Sequence, residues 1–381
     1  MKLLVNCADL RGTGVCQVAA SFLNECRAFS ENEYVVFIST PVKKNLGKFE
    51  FSSNFRFYEF EDKPLFSLHG WPNILKMKRI ESSESPDVTF SIFGPSYWRP
   101  KSPHLMGYAY PHYVYPESPV FKLLSFRQKM DVWIRKFVHV WQLKKNGDYY
   151  VCETEDVKNR WCKMYNISEE NTFVAYNTAS EPFFSYKPSF EERTDNEFRL
   201  YTLCSPYRHK NLEILNEVCP LLSTFNCSKS IKFYTTLPEE SYKRIFNEEA
   251  KKYIVNVGPQ LVTDCPKIVE QSDALFLPTL LECYSASYPE AMCMGKPILT
   301  SNLTFATTVC EEAALYFDPL NAKEIANKIV ALVETPQLYK VLQKKGCERL
   351  KEFGKASDRA RKYLNICQEI INRNHKKNHY A

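Results

Sequence analysis

The feature that most constrains the fold is a regular alternation of short apolar runs with longer segments of helical periodicity. The first run, "KLLVN" at 2–6, is followed by a segment from about Val15 whose apolar residues recur at spacings of three and four. The run "YVVFIS" at 34–39 comes next. Parallel strands need a crossover connection, usually a helix, so this order predicts a βαβ unit and α/β architecture.

A second series of the same kind begins near Phe198 and reaches "ALFLP" at 274–278 and "PILTS" at 297–301. The segment 176–197 between the two series is polar, contains two prolines and ends in acidic residues, which is typical of a linker. We therefore expect two α/β domains that meet near 176–197.

Composition narrows the function classes. The chain has 381 residues and a formal charge of +6, which favours anionic ligands or an anionic membrane surface but is too weak to indicate nucleic acid. Its 14 cysteines include no Cys-x-x-Cys pair, so we expect free thiols in a reducing cytoplasm. The apolar run at the amino terminus is far shorter than a signal sequence, and no run reaches the roughly 18 residues of a spanning helix.

Two glutamates, Glu282 and Glu290, stand eight positions apart beyond the "ALFLP" run. Pro289 and Gly295 are typical of the start and the stop of a short helix, so Glu290 falls in its first turn and Glu282 in the loop after a parallel strand. Open α/β sheets bind ligands at that edge, where carboxylates can accept hydrogen bonds from sugar hydroxyls and helix N–H groups can face a diphosphate. In the alternative interpretation, Glu290 only complements the dipole of its helix and Glu282 is a solvated loop residue.

The surrounding stretch, "LFLPTLLECYSASYPEAMCMGKPILTSN", resembles the signature of the retaining, sugar-nucleotide-dependent glycosyltransferases of group one, which have the GT-B fold. The stretches "SPYRHKNLEIL", "YNTASEPF" and 309–334 resemble further segments of that family, with the best coverage from about 150 to 350. The resemblance implies two Rossmann-like domains whose parallel sheets face each other across a cleft. It implies an acceptor-binding domain over 1–176, with a helix at about 355–381 packed back on it, and a nucleotide-sugar-binding domain over 177–354.

The resemblance also implies roles for individual residues. Glu290 matches the family's glutamate that binds the nucleotide ribose, and Glu282 matches the glutamate that lies against the donor sugar. Lys210 matches the lysine that faces the diphosphate. Backbone N–H groups of the following turn would meet the sugar and the diphosphate. The donor-binding residues expected beside Glu290 are Gly12, Gly14, Ser205, Cys283, Tyr284, Ser285 and Ala286.

Three segments of the sequence leave alternative interpretations open. Ser205 stands where the family usually has an arginine, and Arg208 either supplies the second cation or is a solvated residue at a helix start. Gly12 and Gly14 either let the backbone approach a phosphate or form a tight turn. His112, in an aromatic and proline-rich segment, is either a catalytic residue of the acceptor face or an ordinary loop histidine.

No metal and no cofactor beyond the donor is expected. The chain has no Asp-x-Asp, and His375 and His379 are more typical of a solvated tail than of a ligand pair. Cations and a helix terminus would then stabilise the leaving diphosphate.

The segment 120–148 carries seven lysines and arginines against two aspartates, interleaved with aromatic residues. Such a helix suits peripheral contact with an anionic membrane, but a core-packed helix with a solvated basic face fits equally well.

The predicted function is transfer of a sugar from a UDP- or GDP-sugar to a glycan acceptor with retention, as in lipopolysaccharide, O-antigen or capsule synthesis. A lipid-linked acceptor at the inner membrane face is the expected setting. The rivals are a non-catalytic nucleotide-binding scaffold and a sugar-nucleotide epimerase of the same fold.

Overall fold

The computed structural model describes residues 1–64, 70–187 and 195–379, and the chain divides into two compact units. Unit 1 comprises Met1–Val114, Ser125–Tyr176 and Ala356–Ala381. Unit 2 comprises Tyr115–Leu124 and Asn177–Lys355. Ten residues that follow Val114 therefore group with unit 2, and the carboxyl-terminal helix groups with unit 1.

Each unit is built on one parallel sheet. Within the described residues the strands are β1 Lys2–Cys7, β2 Glu33–Ser39, β3 Phe55–Phe60, β4 Val88–Ser91, β5 His104–Tyr108, β6 Tyr149–Cys152, β7 Thr172–Val174, β8 Glu197–Thr202, β9 Ser230–Thr235, β10 Ile254–Asn256, β11 Ala274–Leu277, β12 Ile298–Ser301 and β13 Ala314–Phe317.

Helices connect the strands, as parallel pairing requires. In the described part of the chain they are α1 Thr13–Cys26, α2 Thr40–Asn45, α3 Trp71–Glu84, α4 Pro111–Val114, α5 Val120–Leu123, α6 Phe126–Asn146, α7 Glu155–Tyr165, α8 Glu181–Ser185, α9 Leu215–Leu222, α10 Glu239–Ile245, α11 Glu248–Lys251, α12 Cys265–Glu270, α13 Ser287–Cys293, α14 Thr304–Cys310, α15 Ala322–Glu334, α16 Pro336–Leu350 and α17 Ala356–His379.

The sheet of unit 1 has the order β3-β2-β1-β4-β5-β6-β7. Its central strands are buried along nearly their whole length, which is typical of parallel sheets covered on both faces. Helix α17 belongs to this core, because Tyr363 packs edge-on against Phe22 of α1 and Arg359 donates a hydrogen bond to the Ser21 hydroxyl at 2.8 Å.

The sheet of unit 2 has the order β10-β9-β8-β11-β12-β13. The connection between β9 and β10 contains two short helices, α10 and α11, rather than one. The division falls at Asn247, whose side chain accepts a hydrogen bond from the Ala250 N–H at 2.8 Å and starts a new helix. The predicted linker at 176–197 contains α8, and its positions 188–194 lie outside the described residues.

Two further properties concern the state of the cysteines and the capacity of the helices to span a membrane. All fourteen cysteines lie in the described ranges and are free thiols. Among the helices that the structure describes, none combines the length and the apolar character needed to cross a bilayer.

A substitution at Gly107 in β5 should destabilise unit 1, because a Cβ added there would lie 1.9 Å from the carbonyl oxygen of Ile92. The backbone of the β4 end cannot move away cheaply, since the Gly94 N–H donates to the Gly107 carbonyl at 2.8 Å. We expect Gly107→Ala to lower the free energy of unfolding by about 2 kcal/mol in urea titration. Gly14→Ala is the control, since nothing lies within 4 Å of a Cβ at that position; an equal loss in both variants would contradict the steric explanation.

Candidate active site

The strand order of unit 2 changes direction between β8 and β11, and the space beyond their carboxyl ends is here called the crevice. These strands pair in parallel, with Ala274 opposite Leu200 and Leu275 opposite Tyr201. The chain moves outward from β8 to β9 on one side and from β11 to β12 on the other. The loops that leave the carboxyl ends of β8 and β11 therefore diverge, and open α/β sheets bind ligands at such a point.

Lys210 and Glu282 come from these two loops and meet. Lys210 ends a short 3₁₀ helix, Arg208–Lys210, in the loop after β8, and its Nζ lies 2.5 Å from Oε1 of Glu282 in the loop after β11. The two side chains are only 14% and 13% exposed. Burial lowers the pKa of Lys210, but the charge and hydrogen bond of Glu282, together with contributions from Cys204 and Tyr207, raise it overall. Lys210 is therefore a fixed cation at the crevice.

Backbone contacts hold the two loops together. The His209 carbonyl accepts a hydrogen bond from the Leu280 N–H at 2.7 Å. The Thr279 hydroxyl lies 3.1 Å from that carbonyl and 3.0 Å from Glu282 Oε1, and its single proton can serve one of them at a time. The Ser118 hydroxyl donates to the Leu280 carbonyl at 2.7 Å, which ties the segment Tyr115–Leu124 to the same loop.

The residues that follow Glu282 form the turn into α13. Cys283, Tyr284 and Ser285 are buried, and Ala286 is the residue before the helix. The predicted stop at Gly295 is confirmed, since this glycine has φ +62°, a conformation that favours glycine. The turn, the helix start and Glu290 thus follow each other as the sequence predicted.

Glu290 lies in the first turns of α13 and faces the residue that precedes α8. Its carboxylate accepts hydrogen bonds from the hydroxyl and the N–H of Ser180. Burial raises the pKa of Glu290 from its usual 4.5 to about 7, although both hydrogen bonds from Ser180 act in the opposite direction. Ser180 stands in the family-like segment "YNTASEPF", but the segment's sequence alone does not predict this contact.

The loop after β8 also contains Arg208, Ser205 and Cys204. Arg208 is exposed on the same 3₁₀ turn as Lys210, and Ser205 lies partly buried, with its carbonyl accepting the Tyr207 N–H at 2.8 Å. Burial raises the pKa of the nearby Cys204 thiol to about 11, so this thiol stays protonated at neutral pH and is a poor nucleophile.

Gly12 and Gly14 lie in unit 1, where the strand order changes direction between β1 and β4. Gly12 precedes α1 with φ −75°, and Gly14 likewise has no positive φ. A turn conformation therefore does not require glycine at either position, and the space at Gly14 is open.

The same loop contains Asp9, which sequence reasoning did not select. Its Oδ1 is buried and has no hydrogen-bond partner among the described residues. Burial raises the pKa of Asp9 to about 6, and the charges of Lys63 and Arg11 act against that rise. An acidic residue directly after the first strand was the available signal.

The histidines of unit 1 differ in their surroundings. His112 is half-buried in α4. His104 lies in β5, where Nδ1 is 2.7 Å from the Asn146 carbonyl and Nε2 is 2.8 Å from the Ser91 hydroxyl. Burial lowers the pKa of His104 to about 4, so it is a neutral structural residue at pH 7. In the described ranges no three His, Cys, Asp or Glu side chains cluster as metal ligands would.

Comparisons with known proteins agree with this geometry. Residues 198–335 match the family model described as "Glycosyl transferases group 1". No curated protein matches the chain by sequence.

Solved structures match over almost the whole chain at low identity. A glycosyltransferase from Rickettsia africae is 14% identical with a TM-score of 0.70, covering 97% of this chain and 98% of that one. Anabaena Alr3699/HepE in complex with UDP-glucose gives the same identity and TM-score, covering 97% and 100%. Sucrose-phosphate synthase from Thermosynechococcus elongatus is 14% identical with a TM-score of 0.72, covering 98% and 99%.

Proposed function

We propose a sugar-transfer reaction for this chain, which carries a group 1 glycosyl transferase domain over residues 198–335 and has the GT-B fold. The donor is a nucleotide-diphosphate sugar and the acceptor a glycan hydroxyl. The observation that carries the proposal is the contact between Lys210 and Glu282 at the crevice of unit 2, with Glu290 eight residues further on.

In the proposed reaction, each side chain has a role that its charge and hydrogen-bonding capacity allow. Lys210 stabilises the negative charge that develops on the leaving diphosphate, with Arg208 as the second cation and backbone N–H groups of 283–286 as donors. Glu282 accepts hydrogen bonds from hydroxyls of the donor sugar, and Glu290 from those of the ribose. We assign donor recognition rather than acid–base catalysis to both glutamates.

In the proposed step the acceptor oxygen forms a bond to the anomeric carbon while the bond from that carbon to the diphosphate oxygen breaks. The acceptor proton passes to the leaving phosphate, so no protein base is needed. Retention of configuration and independence from metal are parts of this proposal that follow from the family resemblance and from the cationic site. Gly12 and Gly14 let the donor phosphates approach the backbone of unit 1, and His112 serves the acceptor.

The nucleotide is UDP or GDP, and the structural neighbours favour UDP. Crystals of Anabaena HepE contain UDP, UDP with glucose, and UDP-glucose. The acceptor is a surface polysaccharide under assembly, such as lipopolysaccharide, O-antigen or capsule. It is linked to lipid at the inner membrane face.

The test is calorimetric binding of UDP, GDP, UDP-glucose and GDP-mannose, followed by assays for release of free sugar without acceptor. We expect binding of at least one nucleotide sugar and slow hydrolysis of it. Glu290→Ala should weaken binding by roughly tenfold, because it removes the hydrogen-bond acceptors of the ribose hydroxyls. The exposed Glu240→Ala is the control.

Three other outcomes of these assays would favour a different function or contradict the proposed one. Binding with no turnover under any condition would favour the scaffold, for which Ser205 in place of the family arginine is the supporting observation. Isomerisation of the donor without an acceptor would favour an epimerase. No binding of any nucleotide sugar would contradict the proposed function.

A further inference from the structure

Helix α6 of unit 1 presents a row of large apolar side chains to solvent. Phe126, Trp133 and Phe137 are 78%, 63% and 71% exposed. Together with Met130 and Trp141, which are also exposed, they recur at spacings of three and four and define an apolar stripe along one face. A helix at the surface of a soluble domain normally places polar residues there, so this face points to a partner.

The helix does not depend on the stripe for its own packing. Its last turns are fixed to unit 1 by the buried side chains of Gln142, Leu143 and Asn146. Its first turn is closed by a capping box in which Ser125 and Gln128 bond each other's backbone N–H at 3.3 and 2.9 Å. The core-packed interpretation from the sequence therefore holds for the last turns and is wrong for the stripe.

Charge is concentrated on the same helix. Residues 126–146 contain six lysines and arginines and one aspartate, a net of +5, while the whole chain has a formal charge of +6. With successive side chains about 100° apart around the axis, Arg127 and Lys145 fall on one side of the stripe. Lys129 and Lys136 fall on the other side. The apolar face is therefore flanked by cations along both edges.

Two of these cations lie over aromatic rings. The Lys145 ammonium lies 4.4 Å from the centre of the Trp141 ring, and the Lys136 ammonium lies 5.5 Å from the Tyr165 ring of α7. Side chains arranged in this way can cover apolar surface and still place their charge at its border.

A groove runs beside the stripe between α6 and α7, with a volume of about 310 Å³. Tyr165 donates its hydroxyl inward to the Tyr113 carbonyl at 2.7 Å, and its ring lines the groove. The remaining lining residues are Trp133, Lys136, Phe137, Val140 and Trp141. Hydrocarbon therefore suits both the groove and the stripe.

We infer that α6 docks on an anionic lipid bilayer, lying in the plane of the interface. Phe126, Met130, Trp133 and Phe137 enter the boundary between headgroups and acyl chains, and Arg127, Lys129, Lys136 and Lys145 contact the lipid phosphates. An interfacial helix needs an apolar face, cations on its borders and low overall hydrophobicity, which α6 combines. A second copy of this chain fits less well, because two helices of charge +5 would face each other.

This inference does not depend on sugar transfer, and the test separates the two. The protein is sedimented with vesicles of phosphatidylcholine alone or of equal parts phosphatidylcholine and phosphatidylglycerol. We expect binding to the anionic vesicles, little binding to the neutral ones, and a decline as salt rises. A Trp133→Ser/Phe137→Ser double variant and an Arg127→Glu/Lys129→Glu double variant should each bind at least about tenfold more weakly.

Controls outside α6 keep the test specific. Leu261→Ser removes an apolar side chain that is 71% exposed in unit 2, and Lys243→Glu reverses an exposed cation; both should bind as the unmodified protein does. A cooperative urea-unfolding transition like that of the unmodified protein would show that the α6 variants are folded. Equal binding to neutral and anionic vesicles, or full binding by either double variant, would overturn the inference. Loss of self-association in Trp133→Ser/Phe137→Ser without any vesicle binding would assign the stripe to a second copy instead.

Discussion

Lys210→Ala should lower the rate of sugar transfer by about 10²–10³-fold, the usual cost of removing one group that stabilises charge in a transition state. The substitution removes the cation that we propose stabilises the leaving diphosphate. It also leaves the Glu282 carboxylate, only 13% exposed, without its partner at 2.5 Å. A negative charge would then stand where the diphosphate charge grows. The measurement is kcat/KM for the donor at saturating acceptor.

The control for this prediction is Lys243→Ala, which removes an exposed lysine paired with Glu239 elsewhere in unit 2. Glu282→Ala should also reduce transfer, through loss of sugar positioning. If Lys210→Ala and Glu282→Ala both transferred sugar at the unmodified rate, the site would have to lie elsewhere.

Glu290→Gln should change the pH dependence of stability. The folded protein holds the Glu290 proton up to about pH 7, whereas the unfolded chain releases it near the usual 4.5. This group therefore contributes its full stability below pH 4.5, and the contribution is lost as pH rises through 7. The difference of 2.5 pKa units corresponds to about 3 kcal/mol.

Urea unfolding of the unmodified protein and of Glu290→Gln at pH 5 and pH 8 tests this prediction. The glutamine cannot ionise, so the free energy of unfolding of the variant relative to the unmodified protein should rise toward pH 8, by up to about 3 kcal/mol. The exposed Glu240→Gln should show no such trend. A difference between variant and unmodified protein that is the same at both pH values would mean that Glu290 is ionised throughout.

The sequence predicted the central strands well and the edge strands β3, β7 and β13 poorly. Strands β1, β2, β11 and β12 are short continuous apolar runs, and their pattern alone identifies them. Strand β3, "FRFYEF", and strand β13, "ALYF", lie at the edges of their sheets, and β7 has only three residues. Edge strands are defined by pairing with one neighbour rather than by burial on both faces, so their sequences carry a weaker signal.

The candidate site likewise combines features that are local in sequence with contacts that only the folded chain creates. The positions of Glu282 and Glu290 followed from a strand, a loop and a helix that are local in sequence. The contact of Lys210 with Glu282 spans 72 positions and depends on β8 lying beside β11. Ser180 is not identifiable from the sequence, because its contact with Glu290 appears only when the chain is folded. Asp9 has one sequence signal, its place soon after β1, but the burial of its Oδ1 also appears only in the fold.

The most direct test of the account is a crystal structure of the protein soaked with UDP-glucose. The account predicts electron density at the crevice between β8 and β11, with the diphosphate within hydrogen-bond distance of Lys210 Nζ and the ribose within reach of Glu290. In that complex the Lys210–Glu282 contact would open or lengthen to admit the ligand. Density for the nucleotide away from the ends of β8 and β11, with Lys210 and Glu290 untouched, would contradict it.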